Sequence, residues 1–343
     1  AYEQARDIVK DFINAEFREE IIFTSGTTAS VNLAAFCFGE AYIKEGDEVI
    51  VTEAEHHSNI VPWQMMCRRK GAILKVLPID DSGHLIIDEL DSLITDRTRI
   101  MAVTHISNVL GIVNPVKDIV EKCHSKGVAV LVDGAQGAVH CKVDVRDMDC
   151  DFYVFSGHKL YAATGTGVLY GKKKWLENMP PYMGGGEMVG TVKFSGTTYA
   201  PLPMKYEAGT QNFASAATLK PAIELLNILN DNNLEEYNNS IKDYLLNILI
   251  NDERIRLYGV PRGTSEEKIP LFSFTVKGIH HEDLALILDK MGIAVRSGQM
   301  CAEPLMDRFG VTGMLRISLA PYNTMQEAEY FVKCLNKAID MLI

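Results

Sequence analysis

Lys159 stands just beyond the apolar run DFYVFSG, with Ser156 and His158 beside it. A lysine at the end of a buried strand is poorly placed as a solvated cation, and its amine suits a lowered pKa or a covalent bond to a carbonyl carbon. Asp133 closes a second run, VAVLVD, and Gln136 follows three positions later. A carboxylate there needs a cationic or donor partner, because an unpaired buried charge is costly. The run IIFT leads into Ser25-Gly26-Thr27-Thr28 and then a helical pattern. Such a turn offers free backbone N–H groups and the positive end of a helix dipole to an anion. For the tetrapeptide alone, Thr27 or Thr28 serving only as a helix cap is the plainer reading. His56 and His57 follow DEVIVT, and two histidines at a strand end are an unusual way to satisfy packing alone. His105 and Asn108 follow RIMAVT, where a hydrogen-bonded turn would account for both.

Cys301 lies in the turn of GIAVRSGQMCAEPLM, five residues after Arg296 and fifteen before Arg316. Lone cysteines are mostly buried and inert, and Cys37, Cys67 and Cys334 sit in helical patterns that fit that reading. A turn cysteine between arginines reads instead as an accessible nucleophile. A lysine for a Schiff base, an aspartate for a pyridinium nitrogen and a hydroxyl-rich helix start for a phosphate together fit pyridoxal phosphate. Competing readings fare worse. GTGVLYG is not followed by a helix, as a dinucleotide fingerprint requires, and no GxxxxGK[ST] occurs. The histidines show no metal-ligand spacing, so no metal is expected.

These residues need a scaffold that delivers strand ends to one edge. From Ile21 to Tyr170 the runs IIFT, DEVIVT, ILKVLPI, RIMAVTHI, VAVLVD, DFYVFSG and GVLYG read as strands, and segments such as 28–43, 59–70 and 116–126 have helical spacing. That alternation predicts an α/β fold with a largely parallel sheet, whose ligands lie beyond the carboxyl ends of the strands. Residues 180–212, rich in Gly, Pro and Thr, read as long loops. A helical stretch from about 216 to 251, interrupted at 231–233, leads to RIRLYG, LFSFTV, the helix HEDLALILDKM, GIAVRS, MLRISLA and a last helix from Thr324. The expected division is a large cofactor-binding domain over 1–222 and a small α+β domain over 223–343 carrying Cys301.

The length of 343 residues allows about two domains. With 45 acidic against 34 basic residues the net charge is −11, which opposes binding to nucleic acid. No apolar stretch reaches the roughly 18 residues of a membrane helix. The seven cysteines are scattered, with no CxxC pair, and suggest a reducing cytoplasm.

The stretches SGTTASVNL, EHHSNIVPWQ, THISNVLG, VDGAQ, DFYVFSGHKLYAATGTGVLY, GGGEM, YEAGTQN, RSGQMCAEPLM and RISLAPYNT run from about residue 20 to 325. They resemble the class V, fold-type I pyridoxal-phosphate enzymes, and within them the SUF-type (group II) cysteine desulfurases and selenocysteine lyases. The resemblance implies that Lys159 forms the Schiff base and then acts as base at Cα, that Asp133 pairs with the pyridinium nitrogen and that Gln136 binds the ring hydroxyl. It implies that His56 stacks on the ring and takes part in catalysis. Phosphate contacts fall to Thr28, Ser156, His158 and the Thr27 backbone, with Thr210 reaching across from the other subunit of a homodimer. Asn108 and Arg316 hold the substrate carboxylate, Asn108 also touching the cofactor, and a guanidinium fork is well shaped for that ligand. The implied reaction converts L-cysteine to L-alanine, leaves sulfur as a persulfide on Cys301 and passes it to an acceptor protein of the SUF system for iron–sulfur cluster assembly.

Several positions depart from the pattern. Many relatives have two histidines before the reactive cysteine, where this chain has Gln299 and Met300. Ser25 and Ala29 stand where relatives often have Arg and Glu near the phosphate turn. The chain also begins within a helical pattern, without the N-terminal segment that the resemblance implies. Selenocysteine lyase is the alternative within the same chemistry, and a sulfur-carrier partner that keeps the fold without full activity is the alternative outside it.

Overall fold

A computed structural model describes residues 1–230, 234–264 and 267–343. Its chain divides into two units. One comprises Ala1–Leu77, Ile86–Ile106 and Pro115–Asn227, the other Pro78–Leu85, Ser107–Asn114 and Ile228–Ile343.

The first unit is built on β1 (Ile21–Thr24), β2 (Glu48–Thr52), β3 (Ile73–Leu77), β4 (Thr98–Thr104), β5 (Ala129–Asp133), β6 (Phe152–Ser156) and β7 (Gly167–Gly171). They form one sheet in the order β1-β7-β6-β5-β4-β2-β3. Neighbours from β6 to β3 are parallel, and β7 runs antiparallel to both β6 and β1. The sheet is therefore largely parallel, as the alternation of runs predicts. Strands β2, β5, β6 and β7 are buried at every position. Their continuous apolar runs are what a sheet covered on both faces requires. Helix Thr27–Tyr42 packs its small and apolar side chains into the core with Trp63, Phe152 and Leu169. Gly39 in that helix makes room for Met66, whose Cγ would lie 2.4 Å from an added Cβ. Helix Val61–Lys70 begins with Pro62 in its first turn and ends at Gly71 in a left-handed conformation, a start and a stop each chosen by backbone geometry.

Residues 189–199 correct the expectation of a long loop. They form a hairpin of β8 (Val189–Lys193) and β9 (Gly196–Tyr199), closed by the two residues Phe194 and Ser195. Apart from Val189 every strand residue is exposed. A strand with no buried face carries no apolar alternation to read.

The second unit holds β10 (Ile255–Tyr258), β11 (Leu271–Val276), β12 (Arg296–Gly298) and β13 (Met314–Ser318), in the antiparallel order β10-β11-β13-β12. One face carries a core of Phe272, Phe274, Leu315 and the apolar sides of helices His281–Lys290 and Met325–Leu342. The last helix opens with a capping box in which Thr324 Oγ1 accepts from Glu327 N and Thr324 N donates to Glu327 Oε2. β12 starts later than GIAVRS suggests. The interruption expected at 231–233 lies outside the described residues. Among the described residues no helix is long and apolar enough to cross a membrane.

Segment Ser107–Asn114 joins this unit through its carbonyls. Asn108 O accepts from Arg316 Nη1 (2.7 Å), Val109 O from Ser273 Oγ (2.6 Å), Leu110 O from Lys268 Nζ and Gly111 O from Ile269 N (2.9 Å). Each donor comes from β11, β13 or the approach to β11, so a loop that is local in sequence takes its shape from distant residues.

Asp151, fully buried at the start of β6, organises an ion cluster in the first unit. It accepts from Val130 N (2.9 Å), Trp175 Nε1 (2.7 Å) and His124 Nε2 (2.8 Å). The hydrogen bond to Asp151 raises the His124 pKa above its ordinary value. Against the cost of burial, bonds from His124 and Trp175 and the charge of Lys172 hold Asp151 down at about 2. A raised histidine contributes stability that is fully present below its unfolded pKa of about 6.5 and is lost as pH rises through the folded value. The depressed aspartate contributes above its unfolded pKa of about 3.9 and is lost as pH falls. His124→Gln is therefore expected to cost more stability near pH 5.5 than near pH 9, measured by urea unfolding at both. An equal cost at the two pH values would contradict this account.

Candidate active site

In the first unit the strand ends place the sequence-marked residues one after another. β1 ends in a turn at Gly26, whose φ of +149° favours glycine. A Cβ on Gly167 of β7 would lie 2.4 Å from Gly26 Cα, so this close approach requires glycine at 167. Helix Thr27–Tyr42 follows, and its N-cap residue, Gly26, has no side chain to cap it. Ser156 Oγ, at the end of β6, accepts from Thr27 N (2.8 Å) and shares a hydrogen bond with Thr27 Oγ1 (2.7 Å). The alternative in which Thr27 or Thr28 caps the helix is thus not what the backbone shows. Thr28 is exposed in the first turn. An uncapped helix start flanked by hydroxyls is suited to a phosphate.

Asp133 is buried at the end of β5, and its carboxylate accepts from Ala135 N (2.9 Å). Burial raises its pKa, while the Lys159 cation and the Ala135 amide oppose that rise. Lys159 is half-buried in the short helical turn after β6, with His158 exposed beside it. Gln136 is half-buried after the Asp133 turn. His56 Nδ1 accepts from Ser58 N (3.0 Å) and pairs with Ser58 Oγ (2.8 Å), which assigns the ring proton to Nε2 in the neutral form. His105 is a packing residue. Its Nδ1 pairs with Tyr153 OH at 3.0 Å, and burial lowers its pKa to about 4. Thr210 is exposed, three residues beyond a buried Glu207.

Glu55 is a member that sequence reading passed over. It is fully buried between β2 and the His56 turn, and accepts from Thr52 Oγ1 (2.7 Å), Asn59 Nδ2 (2.7 Å) and Thr104 N (2.8 Å). Burial, with repulsion from Asp133, raises its pKa to about 8 against those hydrogen bonds. Thr104 is the register partner of Asp133, so Glu55 ties the end of β4 to the histidine turn. The signal was present as an acidic residue directly before His56-His57, but only burial distinguishes it from Glu53.

The donor set in this unit fits pyridoxal phosphate. A buried carboxylate awaits a cationic nitrogen, an amine lies within electrostatic reach of it, and an open helix start with hydroxyls awaits a dianion.

In the second unit Cys301 is exposed, whereas Cys37, Cys67, Cys123, Cys150 and Cys334 are buried and Cys141 is partly so. Burial pushes the thiols of Cys37, Cys67 and Cys123 to about 12, 11 and 12, against nucleophilic use. Arg296 Nη2 donates to Cys301 Sγ at 3.7 Å. Arg296 and Arg316 are paired across β12 and β13. Burial, and then the Arg296 charge, lowers the Arg316 pKa to about 10, and the buried Arg316 Nε has no hydrogen-bond partner. Two guanidiniums side by side with an unused buried donor are chemically suited to a carboxylate. Asn108 is buried, and its Nδ2 donates to Met300 O at 2.9 Å. Met300 and Cys301 both have φ of +57°, a conformation that costs a non-glycine residue on the order of 1 to 3 kcal/mol.

The aminotransferase class-V family model matches residues 1–331. A cysteine desulfurase of Cronobacter sakazakii is 46% identical over 331 residues, covering 96% of this chain and 80% of its own. A probable cysteine desulfurase of Vibrio cholerae is 43% identical over 341 residues, covering 99% and 83%. Among solved structures, the cysteine desulfurase CsdA of Escherichia coli superposes with a TM-score of 0.93 at 41% identity, covering 100% of this chain and 84% of that one.

Proposed function

Because the chain belongs to the aminotransferase class-V family, we propose that it is a cysteine desulfurase that binds pyridoxal phosphate, releases L-alanine from L-cysteine and keeps the sulfur as a persulfide on Cys301. The observation that carries this reading is an exposed thiol beside Arg296, in a unit that also holds an unused buried donor on Arg316. Lys159 would anchor the cofactor, Asp133 would pair with its ring nitrogen, Gln136 would bind its hydroxyl and His56 would stack on its ring. Thr28, Ser156, His158 and the Thr27 amide would hold the phosphate, with Thr210 of a second copy completing that contact in a homodimer. When bound, the cofactor supplies an electron sink that makes the substrate Cα–H acidic.

The chain's own groups do the rest. Arg316, with Asn108 beside it, orients the substrate carboxylate. The Lys159 amine takes the Cα proton and returns protons to the product carbons. The Cys301 thiolate attacks the substrate sulfur: an S–S bond forms, the C–S bond breaks, and the bonding pair goes to carbon, which is protonated to give alanine. Capture on the protein keeps sulfide from diffusing away before transfer. Seven cysteines with no disulfide suit a reducing cytoplasm.

The test measures alanine from L-cysteine, with reductant, for the parent and for Cys301→Ala. An active parent and a silent variant are expected. Equal activity would remove Cys301 as sulfur acceptor. Selenocysteine, whose C–Se bond is weaker, is expected to be cleaved by both forms. The sulfur acceptor is a protein of the SUF system in this reading. Transfer from the persulfide to SUF acceptors, against transfer to acceptors of other systems, tests that step.

A further inference from the structure

Asn108 uses its two amide groups in opposite directions. Its backbone carbonyl accepts from Arg316 Nη1 at 2.7 Å, and its side-chain Nδ2 donates to Met300 O at 2.9 Å. Met300 is itself buried and precedes the exposed Cys301. The turn between them is tight: Ala302 N bonds back to Gln299 O at 3.0 Å, and both Met300 and Cys301 are left-handed. Two successive non-glycine residues in that conformation persist only when their surroundings hold them. The buried Met300 side chain and the Asn108 amide are two such holds, beside the Arg296 bond to Cys301 Sγ. Asn108 is held in its turn by the neighbouring carbonyls of its segment, which Ser273, Lys268 and Ile269 clamp.

We propose that Asn108 is a positioning residue for Cys301, a one-residue tie that fixes the thiol's turn relative to the arginine that takes the substrate carboxylate. The proposal rests on the desulfurase reading for its catalytic meaning and extends it. Beyond any contact of Asn108 with substrate, the amide sets where the accepting sulfur stands before substrate arrives. It also gives a role to Met300, one of the two residues directly before Cys301 at which this chain departs from the resemblance. A buried apolar side chain there pins the turn from inside, while its carbonyl is pinned by Asn108.

The experiment is amide hydrogen exchange on the full chain without substrate, read on a peptide spanning 296–304, for the parent, Asn108→Asp, Asn108→Ala and Ser273→Ala. Asn108→Asp keeps the size of the side chain and removes the donor to Met300 O. Exchange of the Ala302 amide is expected to rise about tenfold in both Asn108 variants, the worth of one buried hydrogen bond to a local opening. Ser273→Ala, which frees only the Val109 carbonyl, is expected to leave it within about twofold. With cysteine as substrate, the Asn108 variants are expected to lose kcat at saturation. Unchanged exchange, or an effect confined to KM, would reduce Asn108 to a substrate contact and overturn the proposal. An equal rise in Ser273→Ala would overturn it too, since any loosening of the segment would then suffice. If the parent releases no alanine, the desulfurase reading fails while the exchange result still decides the tie.

Discussion

Lys159→Ala is expected to release no measurable alanine from L-cysteine, a loss of about 10⁴-fold or more, at the upper end of what a positioned acid–base group contributes. The Lys159 amine has two parts to play. The amine is a nucleophile and base that the strand end of β6 brings within electrostatic reach of Asp133. It also opposes the cost of burying the Asp133 carboxylate. Lys159→Arg separates these parts, because arginine keeps the charge and is neither a carbonyl nucleophile nor a base near neutral pH. Both variants are expected to be inactive, and Lys159→Arg is expected to keep more of the parent's thermal stability. Normal turnover by either variant would sink the assignment of Lys159.

The largest expected effect on stability comes from Glu207→Ala. Glu207 and Arg6 form a bidentate pair, Nη1 to Oε1 at 2.8 Å and Nη2 to Oε2 at 2.9 Å, with both side chains at 0% exposure. Glu207 also accepts from Phe23 N (2.8 Å) and Tyr2 OH (2.9 Å), and the guanidinium lies over the Phe23 ring at 4.6 Å. Removing the carboxylate leaves the buried guanidinium only the exposed Glu3 as an anionic partner and a β1 amide unpaired, which costs about 3 to 5 kcal/mol. The pair joins the first helix, β1 and the segment that carries Thr210. Glu207→Ala should therefore lower the denaturation midpoint markedly, and Arg6→Met with Glu207→Leu should lower it much less, because replacing a buried pair by apolar groups removes the desolvation cost with the attraction. Equal losses from the single and the double change would contradict this reading of the pair.

The parallel core strands, the helices between them and the residues at their carboxyl ends were legible in the amino-acid sequence. Each is a local matter: a fully buried strand is a continuous apolar run, and a lysine or aspartate at its end stands out against that run. The same rule explains the miss at 189–199, since a hairpin exposed on nearly all sides leaves no pattern. It also explains why Glu55 went unmarked beside Glu53, because their difference is burial, which depends on Thr52, Asn59 and Thr104. Cys301 could be singled out from its turn and nearby arginines. What its turn would do could not. The left-handed pair Met300-Cys301, the amide of Asn108 and the unused donor of Arg316 meet only because β12 and β13 pair side by side and the segment 107–114 is drawn into that unit by Ser273, Lys268 and Arg316. The order of residues specifies which chemical groups the protein possesses and which strands end in them. Which of those groups hold one another follows from the folded packing, because hydrogen bonds across more than a hundred residues leave no period in the chain.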